Sequence, residues 1–115
     1  MSRAVFCVAR EFSRTPAGRL PADGPFCAQA LRDEFLLPLL ARHEQVEVDF
    51  TGVLGLSSAF LEEAFAGLVR TGAHSAQSLH RKLRITSPVR TWQAAIWRHI
   101  DAAAAATSHP PGPSF

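Results

Sequence analysis

A chain of 115 residues, 47% of them hydrophobic, can bury one core, so a single domain is expected. No apolar run approaches the roughly 20 residues of a membrane span, and the stretch Ala4 to Ala9 is too short for a secretion signal, which excludes a membrane role and points to the cytoplasm. The formal charge of +2 conceals a segregation: Ala64 to Ile100 carries six basic residues and no acidic one, whereas the remainder carries six basic against ten acidic.

Ala4 to Ala9, rich in Val, Phe and Cys, suits a first strand. Ser13 to Pro25 holds three prolines and two glycines and reads as a long loop or loose hairpin, of a length that leaves room for a binding or covering role. Cys27 to Arg42 reads as the first helix, with Ala28, Leu31, Phe35 and Leu39 on one stripe and Pro38 kinking or tightening its last turn. Cys7 and Cys27 fall on that strand and at that helix start and read as free thiols in a reducing compartment.

The stretch Val46 to Arg70 is the most informative. Val46, Val48 and Phe50 alternate with Glu47 and Asp49, the period of a strand with one buried side, which leaves Asp49 near the strand's end. Thr51-Gly52-Val53 then leaves the strand, and Gly52 and Gly55 permit backbone angles that aim Ser57 and Ser58 at solvent. From Phe60 the apolar residues Phe60, Leu61, Ala64, Phe65, Leu68 and Val69 recur at helical spacing. Glu62 and Glu63 are expected in the first turn of that helix, at the positive end of its dipole, with Arg70 in the last and Thr71-Gly72 as the stop.

Ala73 to Ser78 reads as a polar connection, and Lys82 to Thr86, with Leu83 and Ile85 alternating with basic residues, as a third strand with one solvated face. Ser87-Pro88 starts a last helix whose inward stripe is Val89, Trp92, Ile96 and Ile100, with Trp97 off the stripe, at a partner interface or packed on a neighbouring loop. The domain is expected to span residues 1–104, and the alanine-rich and proline-rich residues 105–115 to form a disordered tail. Alternating strands and helices favour an α/β fold with helices packed against a small mixed sheet.

The order of apolar strand, Asp49, Gly52, Ser58 and helix resembles the STAS domain (sulphate transporter and anti-sigma factor antagonist), and more closely its small STAS-like relatives. In those relatives a motif like SSFLEEAFGGLVR recurs, and Ser58 to Arg70 looks like it, with alanine at the second serine and at the first glycine. A second segment, Gly18-Arg19, Asp23-Gly24-Pro25 and a helix ending in Leu37-Pro38-Leu39, is also similar. The resemblance covers Phe12 to Arg70 by motif and the rest to about Ala104 by order of elements. Two positions depart from it: Ser57 stands where the antagonists carry an aspartate before the phosphorylated serine, and Gln29 stands where the relatives carry a glutamate.

The resemblance implies a small single-domain STAS-like fold and a non-catalytic regulatory module. Such a module would bind a protein partner, an ATP-binding kinase of the anti-sigma type, and phosphorylation of Ser58 would release it. The surface so implied comprises Ser58, Ser57, Asp49, Gly52, Gly55, Glu62 and Glu63. A phosphate at Ser58 would suit the helix dipole but sit badly near Glu62 and Glu63.

Helix capping accounts for the serines more simply, although Phe60 and Leu61 three residues on rule out a reciprocal capping box. The alternative is a nucleic-acid-binding protein using the basic segment 70–98, with Arg81, Lys82 and Arg84 at its centre; the plainer reading of those three is a charged strand face that resists edge pairing. An enzyme would need Asp49, Ser58 and a histidine together, and Gly55-Leu56-Ser57-Ser58-Ala59 is not the G-x-S-x-G elbow of a serine hydrolase. The five histidines show no metal-ligand spacing and read as surface residues; no metal and no cofactor is expected.

Overall fold

Three parallel strands in the order β1-β2-β3 form the sheet of the computed structural model, which describes residues 2–108. β1 is Arg3–Cys7, β2 is Gln45–Asp49 and β3 is Leu83–Thr86. Register pairs Phe6 with Val48 and Val48 with Ile85, so the alternating apolar residues of all three strands fall on one face. The expected mixed sheet is thus all parallel, because a helix follows each of the first two strands and returns the chain to the sheet's starting end. Right-handed crossovers in a sheet ordered this way put their helices on one face. The opposite face, with Val5, Glu47, Arg84 and Thr86, stays solvated, and Glu47 at its middle accepts from Arg3 at 2.9 Å and from Thr86 Oγ1 at 2.8 Å.

The first strand ends earlier than its apolar run. Val8–Glu11 turns into a short helix, α1, that buries Val8, and the Glu11 carboxylate accepts from the Cys7 N–H at 2.7 Å. The loop that follows is packed against the next helix: the Gly18 and Arg19 carbonyls accept from the N–H groups of Ala28 and Gln29, satisfying donors that a helix start leaves without partners.

Helix α2 comprises Ala28–Ala30, a π-helical stretch Leu31–Leu36, and Leu37–Arg42. Pro38 has no N–H to give, and its ring would strike the Glu34 carbonyl in an α-helix; the wider π turn makes room for it. The extra residue in that turn also moves the buried stripe. Leu36 and Leu40 are fully buried, while Phe35 and Leu39, expected on the stripe, are half-buried.

Helix α3 comprises Ser58–Leu61, a second π-helical stretch Glu62–Ala66, and Gly67–Arg70. It is buried nearly all round, from Ala64 to Val69, between α2 and the last helix, so the expected amphipathic stripe is a central core element instead. Gly72, at φ 80°, ends it. The two π stretches meet at Arg32, only 7% exposed, whose Nη1 donates to both the main-chain carbonyl and the carboxylate of Glu63 at 2.7 Å. A Cβ at Gly67 would overlap Nη1 and stand 3.0 Å from Arg32 Cδ.

The last residues of the expected polar connection, from Ala76, open helix α4, Ala76–Lys82, capped by Ser75, whose Oγ accepts from Ser78 N–H at 3.1 Å. A single buried apolar residue, Leu79, leaves no periodic signal there. Lys82 therefore ends a helix and does not open β3, and its ammonium donates to the Leu40 carbonyl at 2.7 Å, closing the end of α2. Helix α5, Arg90–Ser108, starts two residues after Pro88 and buries Ile96 and Ile100 as expected, with Trp92 edge-on to Phe50. It runs through Ser108; residues 109–115 of the expected tail lie outside the described residues. No helix of the described residues is long and apolar enough to cross a membrane.

Candidate functional site

Ser57 is the N-cap of α3. Its backbone is extended, at φ −88° and ψ 154°, and its Oγ accepts from the Phe60 N–H at 3.0 Å, satisfying a donor that the first turn leaves free. Ser58, the first helical residue, is exposed, and its hydroxyl lies 3.1 Å from His99 Nε2 on α5. Burial, followed by the charges of Arg98, Arg70 and Arg19, holds His99 below the ordinary histidine pKa despite the opposing pull of Glu62. A neutral ring protonated on Nδ1 accepts from the Ser58 hydroxyl. Ser57 and Ser58 thus divide the two roles: one caps the helix and the other presents its hydroxyl beside an imidazole.

Glu62 and Glu63 lie beyond the first turn, because the helix begins at Ser58. Arginines from other elements hold them, not the helix dipole. Arg19 from the long loop donates to Glu62 at 2.9 Å and lies 3.6 Å from Glu63, while Arg70 approaches Glu62 at 3.9 Å. The hydrogen bond from Arg19 pulls Glu62 below its ordinary pKa. At Arg32, burial opposes the charge, and the bonds to Glu63 and Asp33 outweigh it and raise the pKa. Both glutamates near Ser58 are therefore paired with cations, which offsets part of the repulsion expected for an added phosphate.

The loop before Ser57 carries a residue absent from the expected surface. Leu54 is 75% exposed, held by a bond from its N–H to the Arg14 carbonyl at 2.8 Å. Its apolar character between Gly52 and Gly55 is readable in the sequence, but its outward direction depends on the loop's fold. Gly52 sits at φ 91° with a Cβ position 3.2 Å from Ala9 Cβ, so its glycine is required; Gly55 has no such constraint.

Asp49 and Gly52 belong to a second place. With Cys7, Ala9, Arg10, Arg14 and Thr51 they line a cleft of about 370 Å³ at the carboxyl ends of β1 and β2, where Asp49 Oδ1 accepts from the Thr51 N–H at 2.9 Å. The expected site residues thus separate into this cleft and the Ser58 surface. Cys7 is half-buried and Cys27 buried, and both are free thiols. Among the described residues no cluster of three or more His, Cys, Asp or Glu could hold a metal ion.

The basic segment is partly spent on the fold. Arg70 leans on Glu62 and Lys82 closes α2, which leaves Arg81, Arg84, Arg90 and Arg98 exposed. Trp97 is half-buried and stacked on His80 at a centroid distance of 4.4 Å.

A family model described as a STAS-like domain of unknown function (DUF4325) matches residues 28–89, more than half of the chain. No curated protein and no solved structure gives a significant match.

Proposed function

This chain belongs to the STAS-like domain family, and on that premise we propose that it is a non-catalytic, cytoplasmic regulatory module that binds a protein partner through the loop and helix start from Gly52 to Glu63. Exposed Leu54 carries the proposal. An exposed apolar side chain on the loop that leads into Ser57 and Ser58, with the Arg19–Glu62 pair on the helix that follows, offers the apolar and polar elements of an interface. An ATP-binding kinase of the anti-sigma type is the partner that the family resemblance favours, and Ser58 is the residue such a kinase would modify.

Phosphate on Ser58 would displace the His99 contact and compete with Glu62 for Arg19 and Arg70. These contacts would then reorganise and the partner be released. Calorimetric titration of purified ATP-binding regulators with the wild-type chain, Leu54→Asp, Ser58→Ala and Ser58→Asp tests this. Loss of binding in Leu54→Asp and Ser58→Asp, with Ser58→Ala retained, is the expected result. Equal affinity of Ser58→Asp and Ser58→Ala for every regulator that binds would remove the switch, and undiminished binding by Leu54→Asp would remove the surface.

A further inference from the structure

β3 is an edge strand of the sheet, paired on one side only, with β2. Its ladder to β2 uses Arg84 and Thr86, as the bond from Phe50 N–H to the Thr86 carbonyl at 2.8 Å shows, so the main-chain groups of Leu83 and Ile85 point away from β2. Two of those four groups are already used: the Leu83 N–H donates to the Leu79 carbonyl, and the Ile85 carbonyl accepts from Gln93 Nε2 at 3.2 Å. Among the described residues, the Leu83 carbonyl and the Ile85 N–H remain without a partner on the edge.

That pair matches one bridge of a parallel ladder, in which a residue opposite Arg84 donates to Leu83 and accepts from Ile85. The same two groups also fit the wide ring of an antiparallel ladder around a non-hydrogen-bonded partner of Arg84, so the edge accepts one bridge of a strand running in either direction. Beside the edge lies a groove of about 290 Å³ formed by β3 with His80, Arg81, Gln93 and Trp97. The Trp97 ring is held in place by its stack on His80, whose Nε2 lies 2.8 Å from Asp101 Oδ1. Arg81 and Arg84 are exposed, and among the described residues no carboxylate pairs with either.

We propose that this edge binds an extended acidic peptide as a fourth strand, with its carboxylates on Arg81 and Arg84 and a side chain against Trp97. Main-chain pairing supplies the contact that every sequence shares, and the two arginines select for acid. A peptide fits better than a nucleic acid because the edge offers one donor and one acceptor at strand spacing, which a phosphate backbone cannot match.

The test uses the full chain and a fluorescein-labelled eight-residue peptide of alternating glutamate and valine, read by anisotropy and by amide shifts. Three controls accompany it: the same peptide N-methylated on alternate residues, labelled oligothymidylate, and the variants Arg84→Glu and Arg81→Glu. Both arginines are exposed, and thermal melting confirms that the variants fold. Binding should shift the Ile85 amide most, weaken roughly tenfold in Arg84→Glu, and fail for the N-methylated peptide. It should leave binding of regulators through Leu54 and Ser58 unchanged, so the two surfaces fail independently. Absence of peptide binding, equal binding of the N-methylated peptide, or tighter binding of oligothymidylate at the same residues would overturn it, the last by making the surface a nucleic-acid interface.

Discussion

The guanidinium of Arg32 fills the space that a side chain at residue 67 would need, so an arginine on one helix and a glycine on the next form a single packing unit. The pair sits where the π stretches of α2 and α3 meet, and it delivers Nη1 to the Glu63 carbonyl and carboxylate at 2.7 Å. Burying a charge this deeply is costly unless it is paired, and here the pairing depends on a missing Cβ.

Gly67→Ala should therefore lower stability by about 3 kcal/mol, through displacement of Arg32 as well as overpacking. The double variant Arg32→Ala with Gly67→Ala should cost less than the sum of the two single changes, since the clash disappears with the arginine. Urea unfolding of the four proteins measures this coupling, and strict additivity would refute the shared unit.

Ser57 and Ser58 should separate on substitution. Ser57→Ala removes the bond to the Phe60 N–H and should cost about 1 kcal/mol, with Ser57→Asp restoring most of it. Ser58→Ala, at an exposed position outside the cap, should stay within about 0.5 kcal/mol. Thermal melts of the three variants check the division, and an equal loss from both alanine changes would contradict it.

The two glycines of the Ser58 loop should also differ. Gly52→Ala forces a Cβ into a left-handed conformation facing Ala9 and should destabilise by about 1–2 kcal/mol. Gly55→Ala meets open space at an ordinary φ and should be tolerated. Comparable denaturation midpoints for the two variants would count against the loop geometry.

Two histidines should make the fold acid-sensitive. Burial lowers the pKa of His74, reinforced by Lys82, and burial together with nearby arginines lowers that of His99. The unfolded chain therefore binds these protons first, so stability is full above the ordinary histidine value of about 6.5 and falls as pH drops toward the lower folded-state values. His99→Gln should flatten part of that slope. Urea midpoints collected across this range, with histidine titrations by NMR, check the sign; a fold that gained stability on acidification would refute it.

Much of the architecture is written in local pattern. The period-two alternation of Val46, Val48 and Phe50 and the serine cap at Ser57 each state a local preference, and neighbours on the same element suffice to express it. Helix α4 escaped because one buried leucine makes no period, and the stripe of α2 shifted because Pro38 acts on a carbonyl four residues back through the path of the whole helix.

By itself the sequence determined the α/β class, the strand leading into the Ser57 cap, and a family likeness that the match over residues 28–89 shows. Only the tertiary structure decided what surrounds Ser58. His99 lies 41 residues away and Arg19 reaches Glu62 across 43, separations at which no local periodicity carries information. It also decided that Asp49 and Ser58 belong to different places, that Leu54 points outward, and that Arg32 is buried against Gly67. Each of these is settled by which surfaces remain after the helices have closed over one face of the sheet, a global packing outcome that no single segment encodes.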